Sequence, residues 1–332
     1  MQSGKKVAVI GGGSWATAIV KILSNNSDNI FWWLRSEDTV NYILANRHNP
    51  VYLSDVEIVL DKVTPSASLQ EVIKDAHIVI LAVPSAFLKN VLNDIDENIF
   101  KDKIVFSAIK GIVPEELLIV GEFLHRNFHI PINNIGVITG PCHAEEVALE
   151  KLSYLTIACQ NTNHAALLAG LMNCRYIRTT VSDDIYGTEY SAVIKNIIAI
   201  ASGICNGQGY GDNFQAVLIA NSIQEIKRFL DAVSPITRDI NDSAYLGDLL
   251  VTAYSQFSRN RTFGAMIGKG YSVKSAQLEM NMIAEGYYAV KCISELNKKY
   301  DVELPVCQMV YRILYEHSSV KVEMKLLSER LK

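Results

Sequence analysis

The chain has 332 residues, 49% of them hydrophobic and 20% charged, and 31 Lys and Arg against 35 Asp and Glu give a formal net charge of −4. That length supports two domains around a large core, and the balance excludes long disorder. No basic stripe or block of like charge is present, which excludes nucleic acid and membrane surfaces as main partners and leaves any anion site to be local.

The first apolar run, Val7-Ala8-Val9-Ile10, is cut short by three glycines. It therefore predicts an opening strand, because an export signal needs about 7–15 apolar residues there. No run reaches the ~18 residues of a membrane span. The expectation is a cytoplasmic protein without membrane insertion.

Short apolar, β-branched runs at 7–11, 29–34, 77–83, 103–108, 134–139 and 155–159 predict strands of a parallel sheet, with helices between them, for example at 16–24 and 114–125. Past residue 184 strand-like runs become scarce, and apolar residues recur at helical spacing through 186–204, 214–233 and 273–298. The predicted division is an α/β domain over 1–185 and an all-α domain over 186–332. Six scattered cysteines, at 142, 159, 174, 205, 292 and 307, form no CxxC pair and read as reduced thiols. The seven histidines show no metal-ligand spacing, so no metal is expected.

Chemistry enters at Gly11-Gly12-Gly13-Ser14-Trp15-Ala16, directly after the first strand. Gly11 permits a tight turn, Gly13 lets backbone approach a pyrophosphate, and Ala16 keeps the next helix close to the sheet. The helix N-terminus supplies N–H donors and positive potential. This is the pattern of a Rossmann-like dinucleotide-binding domain. The second strand ends in Arg35-Ser36 where Asp or Glu usually selects NAD, so Arg35 favours a 2′-phosphate, and NADPH over NADH.

Two lysines stand at the edges of apolar segments, Lys110 after Ala108-Ile109 and Lys195 after Val193-Ile194. Ammonium groups enter such settings to meet an anion or to move a proton. Beside a dinucleotide site, they point to transfer of a hydride and a proton. Ser258-Arg259-Asn260 offers a hydroxyl, a forked guanidinium and an amide in succession, an anion cradle if it opens a helix and an ordinary capped helix start otherwise. Gly140-Pro141 predicts a strand-end turn that lets backbone approach a ligand.

With these motifs in view, the chain resembles the bacterial NAD(P)-dependent glycerol-3-phosphate dehydrogenases. The resemblance runs from Gly11 to Leu314. It is carried by the glycine turn, Ala82-Val83-Pro84-Ser85, Ile109-Lys110-Gly111-Ile112, Gly140-Pro141-Cys142-His143-Ala144, Lys195-Asn196, Gly211-Asp212-Asn213, Gly247-Asp248-Leu249-Leu250, Ser258-Arg259-Asn260 and Ala284-Glu285-Gly286. It implies NAD(P)H-dependent, reversible reduction of dihydroxyacetone phosphate to sn-glycerol 3-phosphate for phospholipid synthesis. It further implies Lys195 as the proton-transfer residue, Lys110 beside the reacting carbonyl and Asp248 with them. Substrate positions would be Gly140, Cys142, Asp248, Ser258, Arg259 and Asn260, together with Lys110 and Lys195. Cofactor positions would be Gly11, Gly13, Ser14, Trp15, Arg35, Lys110, Ala144, Arg259, Ile283 and Glu285. The family usually has Ser or Thr at Cys142 and Arg-Gly at Asn221-Ser222. A homodimer is compatible with it. The competing expectations are a hydroxy-acid dehydrogenase of the 3-hydroxyisobutyrate or 6-phosphogluconate type, and a nucleotide-binding redox sensor without turnover.

Overall fold

The structure, a computed structural model, describes residues 4–280 and 284–332. It divides into two compact units: the chain up to Ile109 with Val120–Ile185, and Lys110–Ile119 with everything from Tyr186 onward. The boundary expected at 185/186 thus misses one exchange. Residues 110–119 group with the second unit because their strands β6 (Ile112–Val113) and β7 (Leu118–Ile119) form an antiparallel hairpin whose Ile112 and Ile119 join the helical core.

The first unit is built on an eight-stranded sheet of β1 (Val7–Ile10), β2 (Ile30–Trp33), β3 (Val63–Ser66), β4 (Ile78–Leu81), β5 (Ile104–Ser107), β8 (Ile135–Thr139), β9 (Ser153–Cys159) and β10 (Ile177–Ser182). Their order is β3-β2-β1-β4-β5-β8-β9-β10. The first six run parallel, whereas β9 pairs antiparallel with β8, so the expected all-parallel sheet is parallel only in part. Strands β1 and β4 are buried on both faces, as covered parallel strands must be, and hence read as unbroken apolar runs. The order places the ends of β1, β2, β4, β5 and β8 along one sheet edge, where doubly wound folds bind ligands.

The second unit is helical among the described residues apart from the β6–β7 hairpin. Its centre is the helix Ile185–Gly207, buried continuously from 187 to 205, which is why apolar residues recur around it, with Glu189, Lys195 and Asn196 among the buried polar exceptions. The helices Asp212–Val233, Asp248–Tyr254, Arg259–Gly268, Glu285–Tyr300 and Pro305–Tyr315 share its core. The single helical run expected over 273–298 is instead two helices, Val273–Glu279 and Glu285–Tyr300. Likewise the helix expected at 114–125 begins only at Val120, after β7.

A close backbone crossing sets the geometry of this unit. A Cβ on Gly203 would stand 2.1 Å from the Arg261 carbonyl oxygen, and one on Gly264 would stand 2.1 Å from that of Ile200. Only hydrogen fits there, so the helix Arg259–Gly268 lies directly against the central helix. Buried Glu225 adds a tie by accepting the N–H groups of Val306 and Cys307, each at 2.9 Å, at the start of the helix Pro305–Tyr315. Burial raises its carboxyl pKa and those N–H groups partly offset the rise.

Gly264→Ala forces backbone to move and is expected to cost roughly 3 kcal/mol, lowering the thermal midpoint by at least ~5 °C. A melting curve matching wild type would contradict the crossing.

Candidate functional site

In the first unit the glycine turn follows β1. Gly11 has φ +138°, and a Cβ there would stand 2.5 Å from the Ala82 carbonyl oxygen after β4, so the position requires glycine twice over. Gly13 is the N-cap of the helix Ser14–Leu23; among the described residues no side chain caps that helix, and a Cβ on Gly13 would meet nothing within 4 Å. Two residues hold the turn: Trp32, which the sequence marks as a core or cofactor-wall side chain, and Asn49, which sequence reasoning passed over. Trp32 Nε1 donates to the Gly11 carbonyl at 2.7 Å, and Asn49 Nδ2 donates to the Gly12 carbonyl at 3.0 Å. The Asn49 Oδ1 accepts the N–H groups of Val51 and Tyr52, which locks its own loop. With those two carbonyls engaged, a helix N-terminus free of side-chain caps remains beside open space. This fits a dinucleotide pyrophosphate.

The other first-unit positions sit near the same sheet edge. Arg35 is exposed just past β2. Gly140 follows β8 with φ +113° and lies tight against Tyr154 and Leu155 backbone, so the chain turns there as expected. Cys142 and Ala144 are both buried, and Ala144 opens the helix Ala144–Ala148. Lys21 fixes that short helix by donating to the Ala148 carbonyl at 3.0 Å. Ser14 and Trp15 begin the helix after the glycine turn.

The second unit carries the charged residues. Lys195, on the central helix, and Asp248, opening the helix Asp248–Tyr254, have side chains 3% and 1% exposed. The Lys195 ammonium pairs with Asp248 Oδ1, while the Lys110 ammonium lies 3.4 Å from Asp248 Oδ2. The expectation of one lysine from each domain is therefore corrected: both belong to this unit. Burial pulls the Lys195 ammonium down to about 7; Asp248 opposes this and Lys110 reinforces it. Burial works to raise the Asp248 carboxyl, but the two lysines outweigh it and hold it below its ordinary value. Two ammonium groups around one carboxylate leave a net positive charge, a setting that favours an incoming anion or a developing oxyanion.

Further amide bonds organise this cluster. Asn196 Nδ2 donates to the Lys110 carbonyl at 2.8 Å, Asn260 Nδ2 donates to Asn196 Oδ1 at 3.0 Å, and the Gly286 N–H donates to Asn260 Oδ1 at 2.9 Å. Asn196 stood next to Lys195 in the sequence, yet its partner is 86 residues away, and no local pattern reveals that pairing. Thr252 Oγ1 donates to the Asp248 carbonyl at 2.6 Å. Of the expected cradle, Ser258 is the N-cap of the helix Arg259–Gly268 and accepts the Arg261 N–H, which is the plainer of the two roles foreseen. Arg259 is exposed at that helix start and Asn260 is buried. Glu285 opens the helix Glu285–Tyr300, half-buried. Ile283 lies outside the described residues. Asn221, in the place of a family arginine, exchanges hydrogen bonds with Lys332 backbone.

Comparison with known proteins agrees along the whole chain. The sequence profiles described as NAD-dependent glycerol-3-phosphate dehydrogenase N-terminus and C-terminus match residues 6–165 and 184–325. A Macrococcus caseolyticus protein named glycerol-3-phosphate dehydrogenase, NAD(P)+, is 33% identical over 98% of both chains. A Bacillus subtilis protein of the same name is 32% identical over 98% of this chain and 94% of its own. The crystal structure of glycerol-3-phosphate dehydrogenase from Coxiella burnetii superposes with a TM-score of 0.91 at 26% identity, covering 99% of this chain and 100% of that one.

The charge arrangement makes opposite demands on its two neighbours. In 15N-lysine NMR, Lys195 is expected to titrate near 7, as its burial dictates. Asp248→Asn should lower that midpoint and Lys110→Met should raise it. Titration at an ordinary lysine value, unmoved by either change, would contradict the electrostatics.

Proposed function

The chain belongs to the NAD-dependent glycerol-3-phosphate dehydrogenase family, and on that premise we propose that it reduces dihydroxyacetone phosphate to sn-glycerol 3-phosphate, reversibly, for phospholipid synthesis. The observation that supports this most is the buried Lys195–Asp248 pair with Lys110 on the opposite carboxylate oxygen. A nicotinamide nucleotide, when bound, supplies the hydride. The protein's own residues supply the rest.

Lys195 donates a proton to the ketone oxygen as negative charge gathers there, and takes it back in the reverse direction. A lysine held near neutrality suits both roles, because proton transfer is most efficient when the pKa lies near the working pH. Lys110 stabilises the same developing charge and keeps Lys195 acidic. Asp248 orients both ammonium groups. Arg259 and the first N–H groups of its helix take the phosphate dianion, with Ser258 serving that helix as its cap. Gly140 and Cys142 are assigned to the substrate by resemblance to the family.

The glycine turn with Ser14 and Trp15 would hold the nucleotide pyrophosphate, and resemblance to the family assigns Ala144, Lys110, Arg259, Ile283 and Glu285 to the nucleotide as well. Arg35 pairs with a 2′-phosphate, which makes NADPH the better donor. The six free thiols suit the cytoplasm. An unphosphorylated hydroxy acid would bring no dianion to the helix start at Arg259, and a sensor without turnover would need neither lysine.

Lys195→Met should bind NADPH within about threefold of wild type while turnover falls about 10³-fold, as measured by nucleotide fluorescence and by absorbance at ~340 nm. Unchanged turnover would end the assignment. For wild type, kcat/KM for reduction is expected to fall as pH rises through about 7, since the protonated amine is the donor, and for oxidation to rise through the same range. Arg35→Ala should lower kcat/KM with NADPH about tenfold and leave NADH within about twofold; equal losses would remove Arg35 from nucleotide choice.

A further inference from the structure

One residue beside the lysine cluster has no role in this scheme. Ser191 lies on the central helix four residues before Lys195, is 1% exposed, and its hydroxyl meets no hydrogen-bonding partner among the described residues. Residues four apart on a helix share a face, with Cβ atoms about 6 Å apart. A long helical side chain also leans toward the N-terminus over the residue four back. Ser191 and Lys195 therefore share one face of the central helix, one turn apart.

Two other buried hydroxyls in this unit find acceptors. Ser202, on the same helix, donates to the Ala253 carbonyl at 2.8 Å and lies 3.0 Å from Gln215 Oε1. Thr252 takes the usual option of a helical hydroxyl, the carbonyl four residues earlier. Ser191 does neither. Ser222, also buried without a partner, is on the helix Asp212–Val233 and shares no helix with the lysine. An unserved hydroxyl one turn from an ammonium held for proton transfer has the character of a ligand contact.

The chemistry of the proposed substrate supplies the counterpart. Dihydroxyacetone phosphate carries its carbonyl between a phosphate-bearing carbon and a hydroxymethyl group. With the carbonyl oxygen at Lys195 and the phosphate on Arg259, the free hydroxyl is left needing a small neutral partner that can both donate and accept. Serine offers that and adds no charge to compete with the phosphate site. We propose that Ser191 is a specificity-determining residue whose hydroxyl hydrogen-bonds the substrate's free hydroxyl group. This deepens the reduction reading above and rests on it.

The test compares dihydroxyacetone phosphate with hydroxyacetone phosphate, in which a methyl group replaces the hydroxymethyl, using wild type and Ser191→Ala. Wild type is expected to prefer the hydroxylated ketone by about tenfold or more in kcat/KM, because a site built to bond a hydroxyl rejects the analogue that lacks it. Ser191→Ala should reduce kcat/KM for dihydroxyacetone phosphate about tenfold and leave the methyl ketone within about twofold, so that the preference collapses. Its NADPH affinity should match wild type, and its melting temperature should be equal or higher, since an unserved buried hydroxyl has been removed. Equal losses for the two ketones, or a preference that survives the substitution, overturns the assignment. Wild type inactive toward both ketones would remove the reduction reading, and this inference with it.

Discussion

The chemistry proposed for this protein depends on keeping one ammonium group out of water. Lys195 is nearly sealed within a helix buried on every side, and an isolated charge there would be strongly disfavoured. Asp248 makes the burial tolerable, and Lys110 on the other carboxylate oxygen prevents the pair from settling into an inert ion bridge. The outcome is an acid poised near neutrality in a locally positive setting. The fold is arranged to hold that balance. Gly203 and Gly264 bring two helices into backbone contact, the Asn196–Asn260 bond crosses between them, and Asn196 also holds the Lys110 carbonyl.

The first unit solves a different problem, that of presenting backbone donors without a side chain in the way. Its glycine turn is open where Gly13 faces outward and tight where Gly11 meets the backbone after β4. Trp32 and Asn49 occupy the carbonyls that would otherwise be free to rotate. A dinucleotide site of this kind is made as much by the groups that fix the turn as by those that touch the ligand.

Much of this could be read from the sequence. Strands buried on both faces, β1 and β4, announced themselves as apolar β-branched runs, and the glycine turn and both lysines stood out by residue type. The edges of the sheet did not. Strand β3 contains Pro65 and β10 is mostly polar; each lies at an end of the strand order, where a missing ladder bond and an open face are tolerated. The hairpin of Ile112 and Ile119 was hidden for another reason: its packing partners lie far along the chain, and helical spacing alone could not distinguish it from the helix that follows. Long-range side-chain ties such as Asn49 to Gly12 and Asn196 to Lys110 leave no local periodicity, so the site's residue types were legible while its supports were not.

Replacing the amine tests the account most directly. Lys195→Ala leaves a buried gap the width of an alkyl amine beside Asp248, so added methylamine or ethylamine should restore ketone reduction. The restored rate should depend on the amine's pKa, as expected for general acid catalysis. A variant that stays folded and binds nucleotide, yet is restored by no primary amine at any concentration, would contradict the claim that a buried ammonium at this position delivers the proton.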